Sequence, residues 1–201
     1  FVYIDATVGW RSVQDNQFST AGAPPFVTAT GGTITTVCTD YKVHTFTGPG
    51  TFEVTNAGTP AGSNTVSYTV VAGGAGGGHG SGGGGGAGGF REGRTPQCNS
   101  WTVSPLNAPA GLPVSAQSYP IVVGAGGGGS PSNPTRGSNG STSSFSSISS
   151  AGGGGGGSDS PPVNSGGPGG SGGGTRANTG TSGGTGNTPP TAPPQGNPGG
   201  N

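Results

Sequence analysis

Methionine is absent from this chain and charge nearly so: six basic and six acidic residues cancel across 201 positions. Such a balance leaves no electrostatic footprint for nucleic acid, an anionic membrane surface or a highly charged substrate, so no nucleic-acid partner is expected. No apolar run approaches the roughly 18–20 residues of a membrane span, and no charged-then-apolar leader opens the chain, so no membrane insertion is expected. Large apolar residues are scarce as well. At 26% hydrophobic, the chain cannot carry an ordinary core throughout. Apolar spacing at three and four is missing and breakers fall everywhere, which predicts no helix of any length. Two cysteines, Cys38 and Cys98, flank the first glycine run. They are too few for a disulfide framework, and one bond or two free thiols both stay open. The opening Phe1-Val-Tyr-Ile reads as mid-strand, and with no methionine it suggests further polypeptide before Phe1.

What the chain has instead is glycine, 50 residues of it, with 19 prolines and no strict every-third-residue pattern. That composition argues against collagen, and the zero net charge is unusual for a disordered segment. The glycines are gathered into Gly82, Gly83, Gly84, Gly85 and Gly86, then Gly126, Gly127, Gly128 and Gly129, then Gly152, Gly153, Gly154, Gly155, Gly156 and Gly157, with a broken run from Gly166 to Gly174. Glycine gives up more backbone freedom on ordering than any other residue, so such runs persist as structure only where backbones approach closely. Their buried amides need partners. Neighbouring runs can supply them if each is extended as a left-handed helix of the polyproline II type, with N–H and C=O pointing sideways. Six residues at about 3.1 Å each make a rod of roughly 19 Å. The expected fold is therefore all-β and irregular: a small antiparallel β region, then a sandwich of polyglycine II rods with projecting loops.

The chain divides accordingly. Residues 1–32 read as a short hairpin with a polar connector that joins to an upstream shaft. Residues 33–72 read as a small antiparallel sheet of Thr33 to Thr39, Tyr41 to Thr47, Thr51 to Thr55 and Thr65 to Ala72, with Phe52 and Val54 on one face. Residues 73–174 form the glycine body, and residues 175–201 a Thr/Gly/Pro tail of low complexity. An internal repeat links the parts: Ser67-Tyr-Thr-Val-Val-Ala-Gly-Gly-Ala-Gly-Gly-Gly is matched by Ser118-Tyr-Pro-Ile-Val-Val-Gly-Ala-Gly-Gly-Gly-Gly and more loosely by Ser144-Phe-Ser-Ser-Ile-Ser-Ser-Ala-Gly-Gly. In each, an apolar strand runs into glycines, so the same transition is expected three times, with the strands setting the register of the rods.

Familiar chemistry finds little support. A formal G-x-G-x-x-G at Gly124, Gly126 and Gly129 follows a strand, but Ser130-Pro-Ser-Asn-Pro cannot open the helix that would hold a pyrophosphate. No cofactor is expected. Cys38, Cys98, His44 and His79 lack the local pairings of a zinc site, and Asp5, Asp15, Asp40 and Asp159 lack calcium-loop spacing, so no metal is expected. Serines are plentiful, but no G-x-S-x-G elbow occurs, no acid stands near either histidine, and paired carboxylates would have to come from scattered residues. The reading is not an enzyme. Asn139-Gly-Ser is a formal glycosylation acceptor with no meaning in a bacterial host. His44 falls within a strand and reads as structural, while His79, between glycines, reads as a solvated loop residue that could touch a ligand. The dense cluster Phe90, Arg91, Glu92 and Arg94 with Trp101 has two readings: aromatic stacking on a sugar with charged groups on its hydroxyls, or rings that plug the edge of the glycine body.

The stretch Tyr41-Lys-Val-His-Thr-Phe-Thr-Gly-Pro-Gly-Thr-Phe-Glu-Val, then Tyr68-Thr-Val-Val-Ala-Gly-Gly-Ala-Gly-Gly-Gly, then Gly84-Gly-Gly-Ala-Gly-Gly-Phe-Arg-Glu-Gly resembles the glycine-rich distal domain of bacteriophage tail fibres and virion appendages, most of all those of marine phages and cyanophages. The likeness covers roughly Thr33 to Gly157. It implies a viral structural protein on the virion, an adhesin or fibre tip whose glycine runs are scaffold. Loops carrying His79, Phe90, Arg91, Glu92, Arg94 and Trp101 would then meet a host cell-surface receptor: glycan, lipopolysaccharide or outer-membrane protein. The implied partners also include other virion fibre proteins and, as in many such fibres, two further copies in a homotrimer, although some related tips are monomeric. The chain departs from the resemblance in its proline-rich last thirty residues. A rival reading is an architectural filament, virion or extracellular, whose glycine bodies pack on their own copies and bind no receptor.

Overall fold

A computed structural model describes residues 2–3, 10–11, 26–37, 41–59, 62–94, 104–177 and 181–201. Cys38, Cys98 and Trp101, and the readings placed on them, lie outside the described residues. The strands are β1 (Val2–Tyr3), β2 (Trp10–Arg11), β3 (Val27–Thr30), β4 (Thr33–Val37), β5 (Tyr41–Thr45), β6 (Gly50–Ala57) and β7 (Thr65–Val66). They continue with β8 (Tyr68–Val71), β9 (Phe90–Gly93), β10 (Asn107–Ala108), β11 (Leu112–Pro113), β12 (Ser118–Val122), β13 (Ser143–Phe145) and β14 (Ile148–Ser150). No helix occurs among the described residues, and the fold is all-β.

The largest sheet is antiparallel with strand order β14-β13-β12-β6-β3. Alternation in β6 turns Phe52 and Val54 inward, as its sequence pattern predicts, and both are buried. Tyr119 stands opposite Phe52 in the register, and Phe145 meets both rings edge-on at centroid distances of 5.6 Å (Phe52) and 5.9 Å (Tyr119). Val70 and Val114 complete the core. This cluster is the reason the predicted four-stranded sheet does not form. Its members are shared among four sheets, since β4 pairs β5, β6 joins the large sheet, β7 pairs β11 and β8 pairs β9. Aromatic partners for Phe52 lie far along the chain, in the repeats, and those pairings win over the local ones. Strand β3 also falls in the stretch read as connector, where Val27 and Ala29 pack on the core.

Beyond the sheet the chain becomes rods. The three repeats behave alike: β8 runs into 72–78, β12 into 124–130 and β14 into 151–158. The three lie parallel, with Gly127 and Ser130 donating to the Gly74 and Gly77 carbonyls, and Gly153 and Gly156 donating to those of Gly73 and Gly76. Segments 82–89 and 137–141 return antiparallel; Gly83, Gly86 and Gly89 donate in turn to Gly157, Gly154 and Ala151. Bonds to one neighbour recur at every third residue, which is the signature of a helix with three residues per turn. The glycine runs are polyglycine II rods.

Segment 151–158 is the axis of this body, bordered by 72–78, 82–89, 137–141, 164–170 and 171–176. Every N–H and every C=O from Gly153 to Gly157 has a hydrogen-bond partner, all of them backbone except the Asn139 side-chain oxygen that receives the Gly155 N–H at 2.8 Å. Close approach explains the composition here, because a Cβ on Gly153, Gly154, Gly155, Gly156 or Gly157 would overlap a neighbouring carbonyl. The stretch read as a low-complexity tail is part of the same array. Gly172 and Thr175 donate to Asn197 and Gly200, Gly199 donates to Gly184, and Gln195 is buried.

Candidate functional site

The body has two unlike ends, set by rod direction. Strands enter at one end, where Ala72, Gly124 and Ala151 begin the parallel rods. At the other, those rods finish in His79, Ser130 and Ser158-Asp159, and the chain turns back through 79–81, 130–136 and 158–165. Segment 171–176 runs parallel to 151–158 and brings Arg176 to this second end. The two are about 19 Å apart, six residues at about 3.1 Å each.

That distance separates the residues singled out from sequence. Phe90, Arg91 and Glu92 do not project as a loop: they form β9, hydrogen-bonded between β8 and β10, and are half-buried. The charged pair among glycines looks like loop sequence, but Gly89 donates to Ala151 and Phe90 to Gln195, so the backbone is held as strand. Arg94 is only 7% exposed. His79 is at the opposite end, and the structure does not bring it to the Phe90 cluster. It is half-buried, not solvated as its glycine neighbours suggest, and its Nδ1 is buried without a hydrogen-bond partner.

Polar side chains gather around His79. Its carbonyl accepts from the N–H groups of Gly82 (3.1 Å) and Asp159 (3.3 Å). Gly80 has φ +63°, a left-handed conformation, and the Asp159 carboxylate fills the place a Cβ would take. Burial works against ionisation of Asp159, but hydrogen bonds from the Asn133 side chain, the Ser81 N–H and the Ser160 hydroxyl, with the charge of His79, outweigh it and hold the carboxyl below its ordinary range. The Ser158 hydroxyl donates to Asn133 at 2.6 Å, and the Arg176 guanidinium donates to the Asp159 carbonyl. Arg136 reaches the Ser165 carbonyl at 2.8 Å, and the Thr175 hydroxyl reaches that of Asn164 at 2.8 Å. Sequence reasoning missed Asn133, Asp159 and Asn164. The available signal was position, since each follows or closes a glycine run where rods must turn.

The family pattern of the glycine-rich domain matches residues 45–201, more than half of the chain. The chain belongs to the glycine-rich domain family. No curated protein and no solved structure matches the chain. The match takes in β6, the core strands, every rod and the final segment 181–201, so the glycine-rich domain and the hydrogen-bonded array coincide. Chemically, the loop end offers hydroxyls, amides, two guanidiniums and one carboxylate, which suits it to hydrogen bonding with a polar surface. Among the described residues no three His, Cys, Asp or Glu side chains converge as metal ligands.

Proposed function

We propose that this glycine-rich domain is a virion structural protein, the tip or adhesin of a bacteriophage tail fibre or appendage, and that its loop end recognises a host cell surface. The observation that carries the reading is the polarity of the body: one end is tied into sheet, and the other collects the polar loops on rods that contain almost no side chains. Loops on such a body can vary without unpacking a core, which suits a recognition surface. The likeness of roughly Thr33 to Gly157 to phage fibre domains supports the same reading, and the receptor would be a glycan, lipopolysaccharide or outer-membrane protein.

One observation favours the architectural reading. The β4–β5 hairpin leaves Ile34, Val37, Tyr41 and Val43 exposed, and a two-stranded ribbon is marginal alone, so contacts with further copies would cover it. Adsorption of purified protein to a panel of marine bacteria separates the two. The adhesin reading predicts saturable binding to at least one strain, lost in Ser81→Trp with Ser132→Trp and kept in Arg91→Ala with Glu92→Ala. Filament growth with concentration and no adsorption to any strain would favour the architectural protein.

A further inference from the structure

We infer that Asp159 is the positioning residue of the loop end: its carboxylate holds loops 79–81 and 130–136 in fixed relation to 158–165, so that they form one composite surface. This rests on the recognition reading only for the use made of that surface; the locking itself is a matter of contacts. From one residue, the carboxylate lies against Gly80 of the first loop and accepts from the Ser160 hydroxyl at 3.3 Å. The Ser81 N–H and the Asn133 side chain are the loop groups that hold its pKa down, and the backbone N–H adds the His79 carbonyl. Asn133 is held from its other atom by the Ser158 hydroxyl, which closes a ring of bonds through the end of the axial rod. Arg176 grips the Asp159 carbonyl, and its own N–H donates to Asn164 at 3.1 Å, so the 175–177 segment is drawn into the same knot.

Gly80 supplies a second, independent sign that the carboxylate belongs there. Its conformation is one that side chains disfavour, and the space beside its Cα is occupied by Asp159 Oδ2. Loop 79–81 is thus shaped around the carboxylate. The titratable groups facing Asp159 are His79, where the 72–78 rod ends, and Arg176, at the end of the 171–176 rod. Loops placed by glycine rods alone would be set only by backbone, which carries no side-chain information to fix one loop against the next. Asp159 provides it at a single point.

The test is amide hydrogen exchange at the Ser81 N–H, with the Gly154 N–H as an internal reference for the body. Asp159→Asn removes the charge and one acceptor, and exchange at Ser81 is expected to rise about tenfold or more while Gly154 is unchanged. Asn133→Ala is the second variant, expected to loosen the same amide with Asp159 intact. Combining it with Asp159→Asn should add little, because both act through one contact. Unchanged Ser81 protection in both variants would overturn the inference. So would equal acceleration at Ser81 and Gly154, which would make Asp159 part of global stability. Loosening at Ser81 with adsorption unaltered would uphold the lock and count instead against host recognition by these loops.

Discussion

At the scale of single residues, glycine has two distinct jobs in this chain, and substitution separates them. On Gly155 a methyl group would overlap the Gly137 carbonyl, whereas on Gly128 it would meet nothing within 4 Å. Gly155→Ala is therefore expected to cost about 3 kcal/mol or more, and Gly128→Ala to stay within about 0.5 kcal/mol, as read by denaturant unfolding. The few side chains in the array complete what backbone cannot. Gln195 is 1% exposed; its Oε1 accepts the Ala151 N–H and its amide donates to the Pro189 carbonyl, both at 2.7 Å. Gln195→Leu should cost about 2 kcal/mol or more, because the Ala151 N–H and the Pro189 carbonyl lose the partner that the buried side chain supplies, and a midpoint shift at constant slope would show it. Asp159 makes a pH prediction. Its folded pKa is depressed, so its contribution is complete above the unfolded value near ~3.9 and disappears as pH falls through the lower folded value. Loop-end amides such as Ser81 should thus lose protection below about pH 4 before the rods do; unchanged Ser81 exchange down to acid unfolding would contradict this.

At the scale of elements, the repeat was the most legible feature of the sequence. Ser67, Ser118 and Ser144 open matched strand-to-glycine transitions, and the three rods that follow are parallel and mutually bonded. Period-two patterning also placed Phe52 and Val54 correctly. Strand partners were not legible, because they depend on where Tyr119 and Phe145 come to lie, and sequence distance gives no hint of that. Strand β9 was read as a loop for a related reason. Phe90-Arg91-Glu92 has no alternation or apolar run, and only the β8 and β10 backbones on either side make it a strand. The final segment, read only as a tail of low complexity, gave no hint of where it packs. Here Gly184, Asn197, Gly199 and Gly200 enter the lattice through their backbones, an interaction to which side-chain pattern is blind.

At the scale of the whole molecule, the usual relation between composition and rigidity is inverted. The apolar core is a small cluster at one end, and most of the body is ordered by amides that satisfy one another across rods. The candidate site was legible only in part for this reason: His79 was singled out, while the residues that organise its surroundings carry no motif and become visible only once rod direction is known. Residue-resolved amide hydrogen exchange tests the scaffold most directly. The account predicts that Gly153, Gly154, Gly156 and Gly157 exchange as slowly as the core strand amides near Phe52 and Val54, with one shared opening free energy. Exchange of those glycines at the rate of an unprotected chain, while the β6 amides stay protected, would contradict it.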